Sequence, residues 1–312
     1  MSKTMKDQEQ NQKIANYWSS INESKNFSKA VYWLANPIIH KLYQHRAVGG
    51  RSYSHWLDFC IEHFVRKNNP VDRILSVGCG SGNLERHLAK LNAFKELDAI
   101  DIAPISIEIA KQKAEEENIK GINYECRNVE ESNFPGKDYD AVFYNMSLHH
   151  MFHIDKILEQ TREVMKPDAF LFVNEYVGPN RFDFTDREKE VISAIHTLIP
   201  EKFRISLAQA NYGSIQKEIC LPHPDEVARV DPSESVCSAQ IMSTIPKYFD
   251  IIEFNPIGGT ILQFLLQNIA GHFREEDRDS IAVLDLLIKA EDTLIKVNDL
   301  KPHFALIVAK PK

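Results

Sequence analysis

Residues 73–82 read Arg-Ile-Leu-Ser-Val-Gly-Cys-Gly-Ser-Gly, and this stretch decides the fold of the chain. The run Arg73–Val77 is typical of a short buried strand, and the residues after the glycines place Leu84, Leu88 and Leu91 on one face of a helix. Glycine lets the backbone turn sharply and approach a ligand where a Cβ would clash. The helix offers free N–H groups and a positive dipole end to an anionic group. The stretch therefore predicts a nucleotide-type site at the end of a strand.

Short apolar runs alternate with helix patterns from residue 71 to about 176. Such runs are typical of strands covered on both faces, and the alternation indicates a parallel sheet with crossover helices. Two late strands complete a seven-stranded sheet and pair antiparallel at one edge. The predicted strands are Arg73–Val77, Leu97–Ile100, Ile122–Cys126, Ala141–Tyr144, Phe170–Val173, Phe249–Phe254 and Phe304–Ala309. The predicted fold class is α/β, with a doubly wound, mostly parallel sheet.

The composition and the pattern of helices and strands along the sequence predict four parts. They are an N-terminal helical lid (1–70), a cofactor-binding α/β core (71–176), a helical and loop insertion on the substrate side (177–240), and the C-terminal part of the core (241–312). The lid is rich in aromatic residues, most of which we expect to pack between helices.

Two helix boundaries in these parts are predicted from sequence. The helix before the fifth strand should carry Met165 and end at 166–168, where Pro167 stops it. A long helix should begin at the capping box Thr185–Glu188, and its buried stripe should include Leu198.

Bulk composition argues for a small-molecule ligand. The 312 residues carry 37 Lys and Arg against 44 Asp and Glu, a net charge of −7, so a nucleic-acid partner is disfavoured. The five cysteines lack zinc-site spacing, which predicts reduced thiols and no metal. No signal-peptide pattern is present, and the apolar run 257–270 is too short for a bilayer, which needs about 20 residues. We expect a cytoplasmic protein with no membrane contact; a homodimer is compatible with the sequence.

Asp101 lies 21 residues after Gly80, at the end of the second predicted strand. A carboxylate there can accept hydrogen bonds from both ribose hydroxyls of a nucleoside. An NAD-dependent oxidoreductase is the competing interpretation. Its G-x-G-x-x-G pattern would place the third glycine at Asn83, whereas this chain has G-x-G-x-G.

The order and spacing of further residues resemble the class I S-adenosylmethionine-dependent methyltransferase family over about residues 70–176, and more loosely at the two final strands. The stretches that carry the resemblance are Gly78–Gly82, Asp101, Asn128–Glu130, Phe134–Pro135, Tyr139–Val142, Asn145–His150, Leu158 and Met165–Asp168. The resemblance implies S-adenosyl-L-methionine as cofactor and S-adenosyl-L-homocysteine as product. The cofactor residues it implies are Gly78, Cys79, Gly80, Gly82, Asp101, Ile102, Asn128, Val129 and Asn145.

In that family Ile102 would pack on the adenine face, Asn128 and Val129 would meet the adenine edge, and Asn145 would line the methionine part of the cofactor. The family more often has Asp at the position of Asn128. The flanking stretches 33–37 through Arg46 and 49–50, 174–181 and 231–236 resemble a bacterial subgroup that we associate with small-molecule, often secondary-metabolite, substrates.

Methyl transfer is an in-line displacement that a closed, dry site accelerates, and a general base helps when the acceptor carries a proton. The candidate catalytic residues follow the fourth and fifth strands: His149, His150, Glu175 and Tyr176. The alternative for the histidine pair is that one histidine caps the next helix or packs under the sheet edge. The alternative for Glu175 and Tyr176 is that they form an exposed strand end.

Three more residues are candidates for the surroundings of the site. His223, between two prolines, could roof the pocket or lie on the surface. Tyr43 and Arg46 in the lid are candidates for contact with the cofactor carboxylate.

The leading hypothesis is methyl transfer to a small-molecule O or N acceptor, ahead of C. A non-catalytic binding or assembly member of the same fold, and an NAD-dependent oxidoreductase, remain the alternatives.

Overall fold

The computed structural model describes residues 10–19, 31–65 and 70–312. Seven strands form one sheet in the order β3-β2-β1-β4-β5-β7-β6. Strands β1 to β5 run parallel, and β7 lies antiparallel between β5 and β6. The strands are β1 (Val71–Val77), β2 (Phe94–Asp101), β3 (Ile122–Cys126), β4 (Tyr139–Asn145), β5 (Met165–Tyr176), β6 (Phe249–Gly258) and β7 (Phe304–Pro311). The predicted fold class is confirmed.

Helices cover both faces of this sheet. Residues 10–19 are helical and are called α1. The others are α2 (Pro37–Ala47), α3 (Trp56–Cys60, continued by a π-helical turn Ile61–Val65), α4 (Asn83–Lys90), α5 (Pro104–Glu116), α6 (Ile154–Val164), α7 (Asp186–Leu198), α8 (Pro224–Val230), α9 (Ile241–Tyr248), α10 (Leu262–Leu265) and α11 (Arg278–Lys296).

Alternating strand residues feed two hydrophobic cores, one on each face of the sheet. Ile74 and Phe143 pack on the face that holds α2 to α5, whereas Leu75 and Val142 pack on the face that holds α6 and α9. The helices begin where side chains satisfy free backbone N–H groups. The Asn36 side chain, for example, accepts hydrogen bonds from the first turn of α2.

Two local predictions were wrong. Helix α6 ends at Val164, and Met165 already pairs with Tyr139 as the first residue of β5. The reason is that Pro167 cannot continue a helix and biases the preceding residue toward extended backbone. Leu198 is 69% exposed at the end of α7, so it is not part of the buried stripe.

The capping box at Thr185 is confirmed. Its Oγ1 accepts the Glu188 N–H, and the Glu188 carboxylate accepts the Thr185 N–H. The predicted division at residue 70 falls beside the segment 66–69, outside the described residues, as do parts of the predicted lid; the four-part division stays a prediction. Within the ranges described here, no helix has the length and apolar character needed to cross a membrane.

Candidate functional site

A cavity of about 300 Å³ opens at the carboxyl ends of β1, β2 and β4. This volume is at the lower end of the range for small-molecule sites. Eight of the nine predicted cofactor residues line it: Gly78, Cys79, Gly80, Asp101, Ile102, Asn128, Val129 and Asn145. The structure brings these residues together, while their role in binding stays a prediction.

The glycine turn is shaped by three left-handed residues, Gly78, Gly80 and Gly82, with φ of 73°, 52° and 75°. A Cβ at Gly78 would overlap the Cβ of Ser147, whose hydroxyl donates to the Val77 carbonyl at 2.6 Å. A Cβ at Gly80 would meet no atom within 4 Å, because this residue faces the cavity.

Gly82 plays a different part from the other two glycines. It is the N-cap of α4, and a Cβ there would collide with the Tyr124 hydroxyl and press on Ala110. It does not line the cavity. Its conformation is therefore required for the packing of the turn against neighbouring elements, not for room beside a ligand.

Asp101 holds the glycine turn from the end of β2. Its Oδ2 accepts the Gly80 N–H and its Oδ1 accepts the Ala103 N–H, each at 2.8 Å. Burial raises the pKa of Asp101, and these backbone N–H groups oppose that rise. Two carboxylate oxygens offer about four acceptor positions, so this side chain keeps capacity for ligand hydroxyls.

Glu85 is a cavity residue that the sequence analysis missed. It lies on α4, is fully buried, and its Oε1 accepts the Ser76 hydroxyl at 2.5 Å. Its Oε2 is buried with no hydrogen-bond partner in the described part of the chain. Burial raises the pKa of Glu85 to about 7. The signal in the sequence is the spacing between Glu85 and Leu88. Residues three apart lie on the same side of a helix, so Glu85 lies on the buried side with Leu88.

The predicted adenine end of the cavity is formed by Asn128, Val129 and Ile102. The Oδ1 atom of Asn128 accepts the Glu130 N–H at 3.0 Å. This contact leaves the amide hydrogens of Asn128 to donate to a ligand. The side chain can therefore donate to a base edge, and its Oδ1 keeps a second lone pair that can accept.

Asn145 connects the cavity to the lid. Its Oδ1 accepts from the Asn174 side chain at 2.8 Å, and Asn174 accepts the Tyr43 hydroxyl at 2.7 Å. Tyr43 thus reaches the cavity wall through two amides and does not line it. Arg46 pairs with Glu291 at 2.9 Å and also binds the Asp292 carboxylate and the Ile257 carbonyl. Arg46 is therefore engaged away from the cavity, contrary to the contact considered from sequence.

His149 is buried against Glu175. Its Nδ1 lies 2.5 Å from the Glu175 carboxylate, which also accepts the N–H groups of Ser147 and Leu148. Burial lowers the pKa of His149, but the carboxylates of Glu175, Glu234 and Asp231 together outweigh burial, so the pKa is raised. Glu175 is fully buried and does not line the cavity, so its contacts fix the position of His149 and of the turn after β4.

His150 lines the cavity. Burial, together with neighbouring His149, lowers the pKa of His150 to about 4, so its imidazole is neutral near pH 7. The Trp18 ring from α1 meets it edge-on at 4.9 Å between centroids, and Asn11 and Ile14 of α1 also line the cavity. Helix α1 therefore lies at this site, whereas none of residues 31–65 of the predicted lid lines the cavity.

Two other candidates lie elsewhere. Tyr176 is buried, donates its hydroxyl to the Pro179 carbonyl, and does not line the cavity. The alternative prediction, that Glu175 and Tyr176 form an exposed strand end, is also wrong, because both residues are buried. His223 is exposed and caps α8, so the surface alternative describes its position.

The loop at residues 231–236 borders the cavity beside His150. From sequence, only its resemblance to a bacterial subgroup was noted, not a role. The Arg181 guanidinium binds the carbonyls of Asp231, Pro232 and Glu234. The Val236 N–H donates to the His149 carbonyl at 3.1 Å. These contacts place Ser233 at the cavity and Glu234 beside His149.

Comparison with known proteins adds three findings. Residues 74–168 match the family model described as "Methyltransferase domain". A ubiquinone biosynthesis O-methyltransferase from Azorhizobium caulinodans is 28% identical over 122 residues, which are 38% of this chain and 47% of that protein. A 2-phytyl-1,4-naphtoquinone methyltransferase from Nostoc sp. is 24% identical over 177 residues, covering 53% of this chain and 76% of that protein.

The chain thus spans about half the length of the ubiquinone-related protein. Among solved structures, the plantazolicin methyltransferase BpumL in complex with SAH matches with a TM-score of 0.47 and 15% identity, covering 99% of each chain.

Proposed function

We propose that this chain, which belongs through residues 74–168 to the class I S-adenosylmethionine-dependent methyltransferases, binds S-adenosylmethionine and transfers its methyl group to a small-molecule O or N acceptor. The observation that carries the proposal is the glycine turn after β1 facing the same cavity as Asp101 after β2. This arrangement places backbone N–H groups and a carboxylate next to each other at one ligand-sized space, since Asp101 is hydrogen-bonded to the Gly80 N–H at 2.8 Å.

The chemistry of the donor set fits the cofactor. Its methionine part carries a carboxylate and an ammonium group. The N-terminus of α4 suits the carboxylate, and the unpartnered Oε2 of buried Glu85 suits the ammonium. Asp101 suits the ribose hydroxyls, and the apolar side chains of Ile102 and Val129 suit the adenine. When bound, the cofactor supplies a methyl group on a positively charged sulfur.

The chain's own residues would position the reactants and exclude water from the site. Ile14 and Trp18 on α1 line the cavity, together with Met151 and Phe152. Excluding water strengthens the electrostatic contacts inside a site. The neutral imidazole of His150 presents a lone pair that can accept a proton from the acceptor or bind a cation. Catalytic roles for His149, Glu175 and Tyr176 stay predictions. Because Glu175 and Tyr176 do not line the cavity, only an indirect role is supported for these two residues.

The acceptor class is supported by the apolar wall and by the relatives. One relative is named for an O-methyl transfer in ubiquinone biosynthesis and the other for a naphthoquinone. A ringed, weakly polar acceptor would suit a wall of Met146, Met151 and Phe152. We place the protein in the cytoplasm, because all five cysteines are free thiols.

Calorimetry with S-adenosylmethionine and S-adenosylhomocysteine tests the proposal. We expect a single saturable site for both; the absence of binding of either compound up to millimolar concentration would overturn it. Formation of S-adenosylhomocysteine with a cell extract, but not with buffer, separates an enzyme from a non-catalytic member of the fold. Saturable enhancement of NADH fluorescence would instead support the oxidoreductase alternative.

A further inference from the structure

Three potential metal ligands converge beside the cavity. One ligand atom each from His149, His150 and Glu234 lies within 4.8 Å of the other two. The His149 Nε2 atom is 3.7 Å from a Glu234 carboxylate oxygen. The histidines come from the turn after β4, and Glu234 comes from the 231–236 loop, so the cluster is built by tertiary contacts between distant segments.

His149 is held in the orientation that a metal ligand needs. A Glu175 oxygen lies 2.5 Å from Nδ1, and a carboxylate oxygen accepts, so Nδ1 donates its hydrogen. In the neutral ring, the form that binds a metal, the lone pair then sits on Nε2, on the side of Glu234. A histidine that donates one ring N–H to a carboxylate and directs the other nitrogen to a metal is the common arrangement around protein-bound metals.

Asp231 gives a second, independent observation. Its side chain is 2% exposed, and its Oδ1 is bonded to the N–H and hydroxyl of Ser233. Its Oδ2 is buried without a hydrogen-bond partner in the described part of the chain, 3.8 Å from His150 Nδ1. A buried carboxylate oxygen without a partner is costly unless positive charge lies nearby.

The local charge also favours a cation. Three carboxylates, those of Glu175, Asp231 and Glu234, surround the two imidazoles. The Arg181 guanidinium is the basic group bound at this loop, and its N–H groups are directed to backbone carbonyls. The cluster therefore holds more negative than positive charge in a buried place.

We propose that His149, His150 and Glu234 bind a divalent transition-metal cation, such as Zn²⁺, at the wall of the cavity. Two imidazoles and one carboxylate are a donor set for zinc or iron, not for magnesium or calcium. Three protein ligands leave an open position, and one of them, His150, lines the cavity together with Ser233, so a cation held there would lie at the cavity wall. A cation held there would lower the pKa of a bound hydroxyl, so that the hydroxyl would release its proton to water without a strong base.

This proposal goes beyond methyl transfer, and it contradicts the expectation from cysteine spacing that the chain holds no metal. The test is calorimetry of the full chain, first treated with a chelator, titrated with Zn²⁺ alone. We expect one equivalent to bind. Glu234→Gln and His150→Ala should each weaken binding at least tenfold. The matched control is His223→Ala, which removes an exposed histidine 3.6 Å from the Asp225 carboxylate and should change nothing.

The absorption spectrum of the Co²⁺-loaded chain distinguishes histidine and carboxylate ligands from cysteine thiolates, which include exposed Cys126 and Cys220. The proposal is overturned if no stoichiometric binding occurs, if the Co²⁺ spectrum shows thiolate ligation, or if both substitutions leave Zn²⁺ affinity unchanged.

Titration of S-adenosylhomocysteine into the same samples keeps this result separate from the proposed function. Binding retained by Glu234→Gln shows that the variant is folded. Loss of Zn²⁺ binding beside intact S-adenosylhomocysteine binding then supports the cation site. A wild-type chain that binds Zn²⁺ but not S-adenosylhomocysteine would overturn the methyltransferase proposal and leave the cation site standing.

Discussion

The cofactor side and the acceptor side of the cavity are assembled in different ways. On the cofactor side, Gly78, Asp101 and Asn145 each end or directly follow a parallel strand, so backbone topology alone brings them together. On the proposed acceptor side, the turn at 148–150, the loop at 231–236 and helix α1 are far apart in sequence and meet through tertiary contacts. These are the Trp18–His150 ring contact, the Val236 N–H bond to the His149 carbonyl and the His149–Glu234 pair. The comparison teaches that the first side is encoded by local pattern and the second by tertiary packing.

The largest expected effect is on the turn itself. Gly78→Ala should lower the free energy of unfolding by about 4 kcal/mol, because two costs combine. Alanine is strained at the positive φ of this position, and its Cβ would overlap the Cβ of Ser147. The matched control is Gly80→Ala, which has a positive φ but open space and should cost about 1 kcal/mol. Urea denaturation measures both. Equal losses would contradict the distinction between a packed and a ligand-facing glycine.

The next effect is on cofactor affinity. Asp101→Ala should weaken S-adenosylhomocysteine binding by about 3 kcal/mol, roughly a hundredfold in Kd, because it removes two charge-assisted hydrogen bonds. Glu96→Gln changes an exposed carboxylate on the same strand and should leave the affinity as it is. Calorimetry on both variants decides the point. An Asp101→Ala protein of wild-type affinity would show that the ribose is held elsewhere.

The confirmed predictions follow the same division. All seven strands, the fold class, the methyltransferase-domain match over residues 74–168 and the strand-end residues that line the cavity could be predicted. Apolar runs, glycine spacing and an acidic residue at a strand end are local signals. Met165 was misassigned because strand pairing with Tyr139 overrode a continuous apolar helix pattern. Leu198 was misassigned because an apolar residue at a helix end need not be covered.

The missed residues share a physical reason. Glu85 is buried in a position where acidic residues usually face solvent, and only the structure shows the unpartnered oxygen. Glu234 comes within 3.7 Å of His149 across 85 residues of sequence, through a loop that Arg181 holds by its carbonyls. Contacts of this kind leave no periodic pattern to read. The burial of Glu175 and Tyr176, at the end of β5 beside β7, was missed for the same reason.

Glu85 allows a pH test of the cofactor side. Because burial raises its pKa from 4.5 to about 7, the folded protein holds a proton that the unfolded chain releases in this range. The contribution of Glu85 to the free energy of unfolding should therefore be largest at or below pH 4.5. It should fall by roughly 2–3 kcal/mol as the pH rises to 7. Urea denaturation of wild type and Glu85→Gln measures it; the variant should lack this component of the slope.

The same carboxylate should act oppositely on binding. Above pH 7 it is ionised and attracts the cofactor ammonium, so the Kd for S-adenosylhomocysteine should fall as the pH rises through 7 in the wild type. Glu85→Gln should bind more weakly and with a flatter pH profile. A wild-type profile that Glu85→Gln reproduces would remove Glu85 from the cofactor site while leaving the glycine turn and Asp101 in place.

The smallest expected effect lies on the acceptor side. Trp18 meets His150 edge-on, and such aromatic contacts contribute about 1 kcal/mol. Trp18→Ala should therefore raise the KM for an acceptor identified by the extract assay about fivefold, while the Kd of S-adenosylhomocysteine stays within about twofold. Trp18→Phe keeps a ring and should recover most of the loss. If Trp18→Ala instead weakened the cofactor and spared the acceptor, α1 would belong to the cofactor side, and the two sides would be less independent than their separate origins in the fold indicate.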